Sequence, residues 1–129
     1  PTSTRIGKSR WPFSFPSKTL KESCAHVVFA SDWPVADINV LAGIQAATTR
    51  KVWGHGDPDQ RFNLLDSLAA YTYEGAYAEF AENKKGILKK GFLGDAVVLS
   101  GDIENTPLEE ISKLHPAITI CGGRVTFEA

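Results

Sequence analysis

The sequence predicts an α/β fold, and three observations carry that reading. Val27-Val28-Phe29-Ala30 is an apolar run without polar alternation, as in a strand buried on both faces, and it stops at Ser31-Asp32-Trp33-Pro34. Between Asn39 and Arg50, Val40, Ile44 and Ala47 recur at i, i+4 and i+7, one apolar stripe of a helix. Ala117 to Cys121 and Arg124 to Phe127 flank Gly122-Gly123, the signature of a two-residue β-hairpin.

The remaining elements follow in order. Pro1 to Phe15 is polar and basic, rich in turn formers, and reads as a loop that continues something upstream. Pro16 to Ser23 predicts a short helix with Ser17 as its cap. His26 to Ala30 is the strand already described, and Gly54, Gly56, Asp57 and Pro58 mark a loop. Asn63 starts a second helix, with Asp66 favouring its N-terminus. Leu65, Leu68, Ala69, Thr72 and Ala76 trace its apolar face through Ala81, Gly75 is a candidate break, and Lys84-Lys85-Gly86 ends it. Asp95 to Ser100 reads as a strand and Gly101-Asp102 as a turn. Thr106-Pro107-Leu108-Glu109 opens a helix with a capping threonine, a first-turn proline and a glutamate. One βα unit followed by a β-rich tail does not close a standard α/β domain, so the order predicts the C-terminal part of a larger fold.

Composition narrows the function classes. The 129 residues suffice for one domain; 43% are hydrophobic and 22% charged, with a net charge of −1. That balance gives no electrostatic reason to expect nucleic acid or an anionic membrane as partner. The longest apolar stretch is too short to span a bilayer, and no charged-then-apolar leader opens the sequence. Cys24 and Cys121 lack CxxC spacing, which favours structural thiols in a reducing, cytoplasmic compartment over a disulfide.

Asp32 is the leading candidate for chemistry. A carboxylate at the C-terminal tip of a buried parallel strand lies where α/β barrels place their catalytic groups. The commoner role for an aspartate there is to cap the next helix or shape a turn. What tips the balance is the motif around it. Phe29-Ala30-Ser31-Asp32-Trp33-Pro34-Val35 resembles the last barrel-strand motif of the metal-dependent amidohydrolases, in the branch called amidohydrolase family 3. The similarity continues through Ala70-Tyr71-Thr72, Ala76-Tyr77-Ala78, Lys85-Gly86-Ile87, Gly91 and Gly94-Asp95-Ala96-Val97-Val98-Leu99. It closes with Thr119 and Gly122-Gly123-Arg124-Val125. Phe92-Leu93-Gly94 departs from the family's lysine-small-alanine, which bears on local packing.

The resemblance implies a C-terminal portion of a (β/α)₈ barrel over residues 1–90 and strands of a small β-sandwich over 91–129, ending in the hairpin. It implies a hydrolase that cleaves a carbon–nitrogen bond of an amide-like small molecule, using zinc or another divalent metal. Asp32 would orient the metal-bound water, take its proton and pass it to the departing nitrogen. The family's metal-binding histidines precede the matched region, so Asp32 would be a metal ligand only alongside histidines that this sequence does not contain. The chain alone should bind no metal tightly and be inactive.

The other candidates have plainer readings. Trp33 either lines a substrate pocket or packs, and Asp37 and Asn39 turn the chain into the next helix. Of the three histidines, His26 reads as structural and His55 as solvent-facing, with substrate contact as its alternative. His115 suits the C-terminal dipole of its helix. His55, Asp57 and Asp59 could supply metal donors, but nothing rigid fixes them. Lys84, Lys85, Lys89 and Lys90 read as a solvated turn, and Asp95 as a structural residue at a strand start. A barrel strand without neighbours leaves unpaired edges, so self-association is expected. The rival function is a non-catalytic binding or regulatory module that keeps the amidohydrolase ending.

Overall fold

A computed structural model describes residues 2–129 as a mixed helical and sheet structure with one small antiparallel sheet. Pro1, where the expected upstream loop begins, lies outside the described residues. The rest of that segment is more ordered than a loop. It holds a single turn, α1 (Thr2–Arg5), and a 3₁₀ helix over Lys8–Phe13. Trp11 fastens it: its indole N–H donates to Ser3 O at 2.9 Å, and its ring meets Trp53 edge-on at 6.2 Å. Helix α2 (Ser17–Glu22) forms as expected, but Pro16 holds the cap position and no side chain caps the helix.

Helix α3 (Val40–Thr49) begins where Asn39 Oδ1 accepts the N–H groups of Leu41 and Ala42, at 3.0 and 3.3 Å. Its buried face is Leu41, Ile44 and Thr48, while Val40 is exposed. The face is rotated from the expected stripe because the 3₁₀ helix Leu108–Lys113 packs on this side. There Ile111 is fully buried against Leu41 and Ile44, and Gln45 Oε1 accepts the Ser112 N–H at 2.8 Å. Thr48 tolerates burial because its hydroxyl donates back to Ile44 O at 3.0 Å. Thr106 does not cap this 3₁₀ helix; its hydroxyl donates instead to Asp102 O.

Helix α4 (Leu64–Tyr71) starts at Asn63, whose Oδ1 accepts the Asp66 N–H at 2.7 Å. It ends at Thr72, not at Gly75, which lies inside the next helix, α5 (Tyr73–Ala78). Thr72 leaves helical geometry (φ −127°, ψ −89°) while its hydroxyl bonds back to Leu68 O at 2.8 Å. The buried positions are Ser67, Ala70 and Ala76, and Leu65 faces solvent, so the expected apolar face again holds only in part.

Strands β1 (Ala96–Leu99), β2 (Pro116–Cys121) and β3 (Arg124–Glu128) make the sheet, in that order and antiparallel throughout. Cys121 pairs with Arg124 across Gly122 (φ 57°) and Gly123 (φ 77°), the hairpin that the sequence predicts. The expected strand at Val27 to Ala30 does not form. A strand needs a partner, and the three strands of the sheet pair only with one another. The run is held instead by its Phe29 N–H, which donates to Ala70 O at 3.2 Å, and by its aromatic ring.

The core is small. Leu41, Ile44 and Ile111 form its centre, with Leu64, Leu68, Tyr71, Leu99, Ile103 and Leu114 around them. Large apolar side chains such as Val35, Ile38, Phe80 and Leu88 face outward. Among the described residues no helix is long and apolar enough to cross a membrane.

Candidate active site

Asp32 sits in the turn between the Val27–Ala30 run and α3. Its backbone is left-handed (φ 51°), a conformation that aspartate tolerates better than most residues. Two backbone bonds close the turn: Val35 N–H donates to Asp32 O at 2.8 Å, and Ala36 N–H to Ser31 O at 3.2 Å. The Trp33–Pro34 peptide is cis. Asp37 Oδ1 accepts the Asn39 N–H at 2.9 Å, which leads the chain into α3, the role expected for both residues. The carboxylate of Asp32 is therefore carried on an ordered turn and open to solvent. Trp33 beside it is 67% exposed.

A cleft of about 610 Å³ lies next to this turn. Ala30 and Phe29 form part of its wall, with Gly43 and Arg50 from the α3 region, Tyr71 from α4 and Trp53 from the loop. Asp32 and Trp33 stand outside it. Arg50 binds the cleft's rim together, its guanidinium donating to Phe15 O at 2.8 Å and Ser14 O at 3.4 Å. Gln60 fastens α2 by accepting the Thr19 N–H at 3.1 Å and donating to the Thr19 hydroxyl at 2.7 Å.

The remaining candidates are dispersed. His26 Nδ1 lies 2.6 Å from Glu74 Oε2, and its ring stacks on Tyr77 at 3.7 Å, the contacts of a structural histidine. His55 and His115 are exposed. Asp59 is held by Arg61 through a forked ion pair, its shortest contact 2.6 Å. That guanidinium draws the Asp59 carboxyl down to about 2. Asp57 turns one oxygen inward beside Trp11. Among the described residues no three His, Cys, Asp or Glu side chains come together to hold a metal ion. Cys24 and Cys121 are both free and exposed. Asp95 Oδ1 accepts the Gly122 N–H at 2.7 Å, the structural contact expected at the start of β1.

Sequence reasoning did not single out Gly43, Arg50 or Gln60, and it placed Tyr71 only in the family-like segment Ala70-Tyr71-Thr72, not at the cleft. Each acts through contacts distant in the chain, and a one-dimensional pattern carries no trace of them.

The pattern of the Amidohydrolase family matches residues 2–127. The Arabidopsis thaliana protein named "Protein LONG AFTER FAR-RED 3" is 39% identical over 90 residues, which cover 67% of this chain and 15% of that protein. The Bacillus subtilis (strain 168) protein named "Putative amidohydrolase YtcJ" is 28% identical over 130 residues, covering 96% of this chain and 24% of that one. The chain thus spans less than a quarter of the length of these curated relatives. No solved structure matches it. With nearly its whole length inside the family's pattern, the chain belongs to the amidohydrolase family.

Proposed function

We propose that this chain is the C-terminal part of a hydrolase that cleaves a carbon–nitrogen bond in an amide-like small molecule, with Asp32 as its acid–base residue. The observation that carries the proposal is Asp32 itself: an exposed carboxylate on a closed turn, directly after an apolar run, within a family match that includes it. In hydrolysis, water attacks the carbonyl carbon as the C–N bond breaks. Asp32 would accept the proton that the water loses and return it to the leaving nitrogen, giving an acid and an amine.

The division of labour follows the family resemblance. Residues 1–90 would complete a (β/α)₈ barrel, and 91–129 would contribute strands to a β-sandwich. Such a hydrolase would use a divalent metal, zinc foremost. The described side chains do not make a site for one, since Asp32 offers a single carboxylate and belongs to no group of three donors. The remaining ligands would come from elsewhere in the whole protein. On its own the chain would be inactive and would associate through its exposed apolar side chains, of which Phe80 is 93% exposed. Unpaired cysteines suit a cytoplasmic protein.

A second reading is a binding or regulatory module without catalysis that keeps the amidohydrolase ending. The test is to assay the whole protein encoded with this sequence against N-acyl and cyclic amide substrates, with and without chelator. Chelator-sensitive release of amine or acid supports the hydrolase. A metal-free, well-folded protein with no hydrolysis of any member of the panel supports the module.

A further inference from the structure

Tyr71 touches both flanks of the turn that carries Asp32. On the side before the turn, its ring meets Phe29 edge-on, with centroids 5.7 Å apart and an interplanar angle of 61°. Phe29 is seated further by Phe62, at 4.9 Å, and by its own N–H on Ala70 O, the residue next to Tyr71. On the side after the turn, the Tyr71 hydroxyl lies directly over Gly43 of α3. A Cβ at Gly43 would come within 2.1 Å of that oxygen, so the approach requires glycine. Phe29, Gly43 and Tyr71 all line the cleft.

The turn from Ser31 to Asn39 therefore hangs between two anchors that meet on one side chain. Its internal bonds, Val35 N–H to Asp32 O and Ala36 N–H to Ser31 O, fix its shape. They do not fix where it stands relative to α3 and α4. From this arrangement we infer that Tyr71 is a positioning residue for Asp32, setting the carboxylate's place by clamping Phe29 and Gly43 together. Asp32's catalytic meaning rests on the proposed hydrolase, but the clamp itself does not. Packed aromatic contacts and close backbone approach transmit such placement because a well-packed contact does not deform continuously.

The experiment is hydrogen exchange read by mass spectrometry on the whole protein that carries this sequence, following peptides that span residues 28–38 and, as internal reference, 116–128. Tyr71→Ala removes both anchors. Gly43→Ala pushes the phenol off α3, since the added Cβ would meet the ring carbon Cζ at 3.0 Å as well as the hydroxyl. Tyr71→Phe keeps the ring against both Phe29 and Gly43. The clamp predicts that Tyr71→Ala speeds exchange in 28–38 at least tenfold more than in the hairpin reference. Gly43→Ala should do so to a smaller degree, and Tyr71→Phe should remain within about threefold of the parent. A uniform rise across both peptides, or no rise in 28–38 with either alanine variant, would overturn the clamp. Neither result depends on whether Asp32 is catalytic, so the failure of one claim is separable from the failure of the other. In the whole hydrolase, the same Gly43→Ala change should lower kcat when turnover is expressed per folded molecule, so that any loss of folded protein is already divided out.

Discussion

The carboxylate of Asp95 receives the backbone N–H of Gly122 at 2.7 Å, joining the start of β1 to the turn of the β2–β3 hairpin. Gly123 N–H reinforces the tie by donating to Gly94 O at 2.8 Å. Two left-handed glycines turn their N–H groups toward the residues that precede β1, so the hairpin is docked at its tip as well as along its ladder.

Asp95→Ala should therefore cost up to about 1 kcal/mol of stability, the usual worth of one hydrogen bond, here an exposed one. Urea unfolding followed by far-UV circular dichroism measures it. A variant as stable as the parent would show that the tie contributes nothing to folding.

The ion pair of Asp59 and Arg61 makes a prediction in pH. The Arg61 guanidinium, first by side-chain hydrogen bonding, depresses the Asp59 carboxyl to about 2 in the folded chain. An unfolded aspartate titrates near ~3.9. The folded form thus holds the deprotonated group more firmly, and the pair's contribution to stability is present above the unfolded value. It is lost as pH falls through about 2. Both side chains are substantially exposed, so the contribution is small. Carboxyl carbon NMR should show Asp59 titrating at the low midpoint, and Arg61→Ala should bring it back to the ordinary range.

Two glycines give opposite forecasts. Gly86 has φ +93°, and a Cβ there would lie 2.8 Å from Ala76 Cβ and 3.1 Å from Tyr73 Cα. Gly86→Ala should lose about 1–3 kcal/mol. Gly75 lies inside α5 with open space around a Cβ, so Gly75→Ala should gain about 0.5–1 kcal/mol. Thermal unfolding of the pair decides, and equal shifts in one direction would contradict the geometry.

Ile111 is fully buried between Leu41 and Ile44. Ile111→Ala should cost about 2–5 kcal/mol through lost apolar burial and the cavity left behind. In so small a core, near-ultraviolet circular dichroism should weaken before helical content does. A variant with undiminished stability would mean that α3 is held elsewhere.

These residues also show what was legible in sequence. The Gly122-Gly123 hairpin and the helix starts at Asn39 and Asn63 depend on neighbours in the chain or on one strong backbone preference, and each follows from the sequence; the partner of Asp95, 27 residues away, does not. The motif around Asp32 was visible because its residues are contiguous. The expected strand at Val27 to Ala30, buried on both faces, fails on both counts: no strand of the sheet stands beside the run, and without a covering layer Val28 and Ala30 are exposed. The α3 stripe was rotated because the packing of Ile111 selects the face, and residue 111 is remote in sequence. Thr72, which breaks the helix in place of Gly75, acts through a hydroxyl bond that helical propensity does not describe. Tyr71 was invisible as an anchor because its partners, Phe29 and Gly43, lie in other elements.

The most direct test of the central claim is the turnover of Asp32→Asn in the whole amidohydrolase. Asparagine keeps the size of the side chain and cannot accept the proton. Because Asp32 is exposed on a turn, folding should be unchanged. The account predicts a fall in kcat of roughly two to four orders of magnitude with wild-type unfolding behaviour. Hydrolysis at the parent rate by a folded Asp32→Asn protein would contradict it, and would return Asp32 to the role of a turn residue.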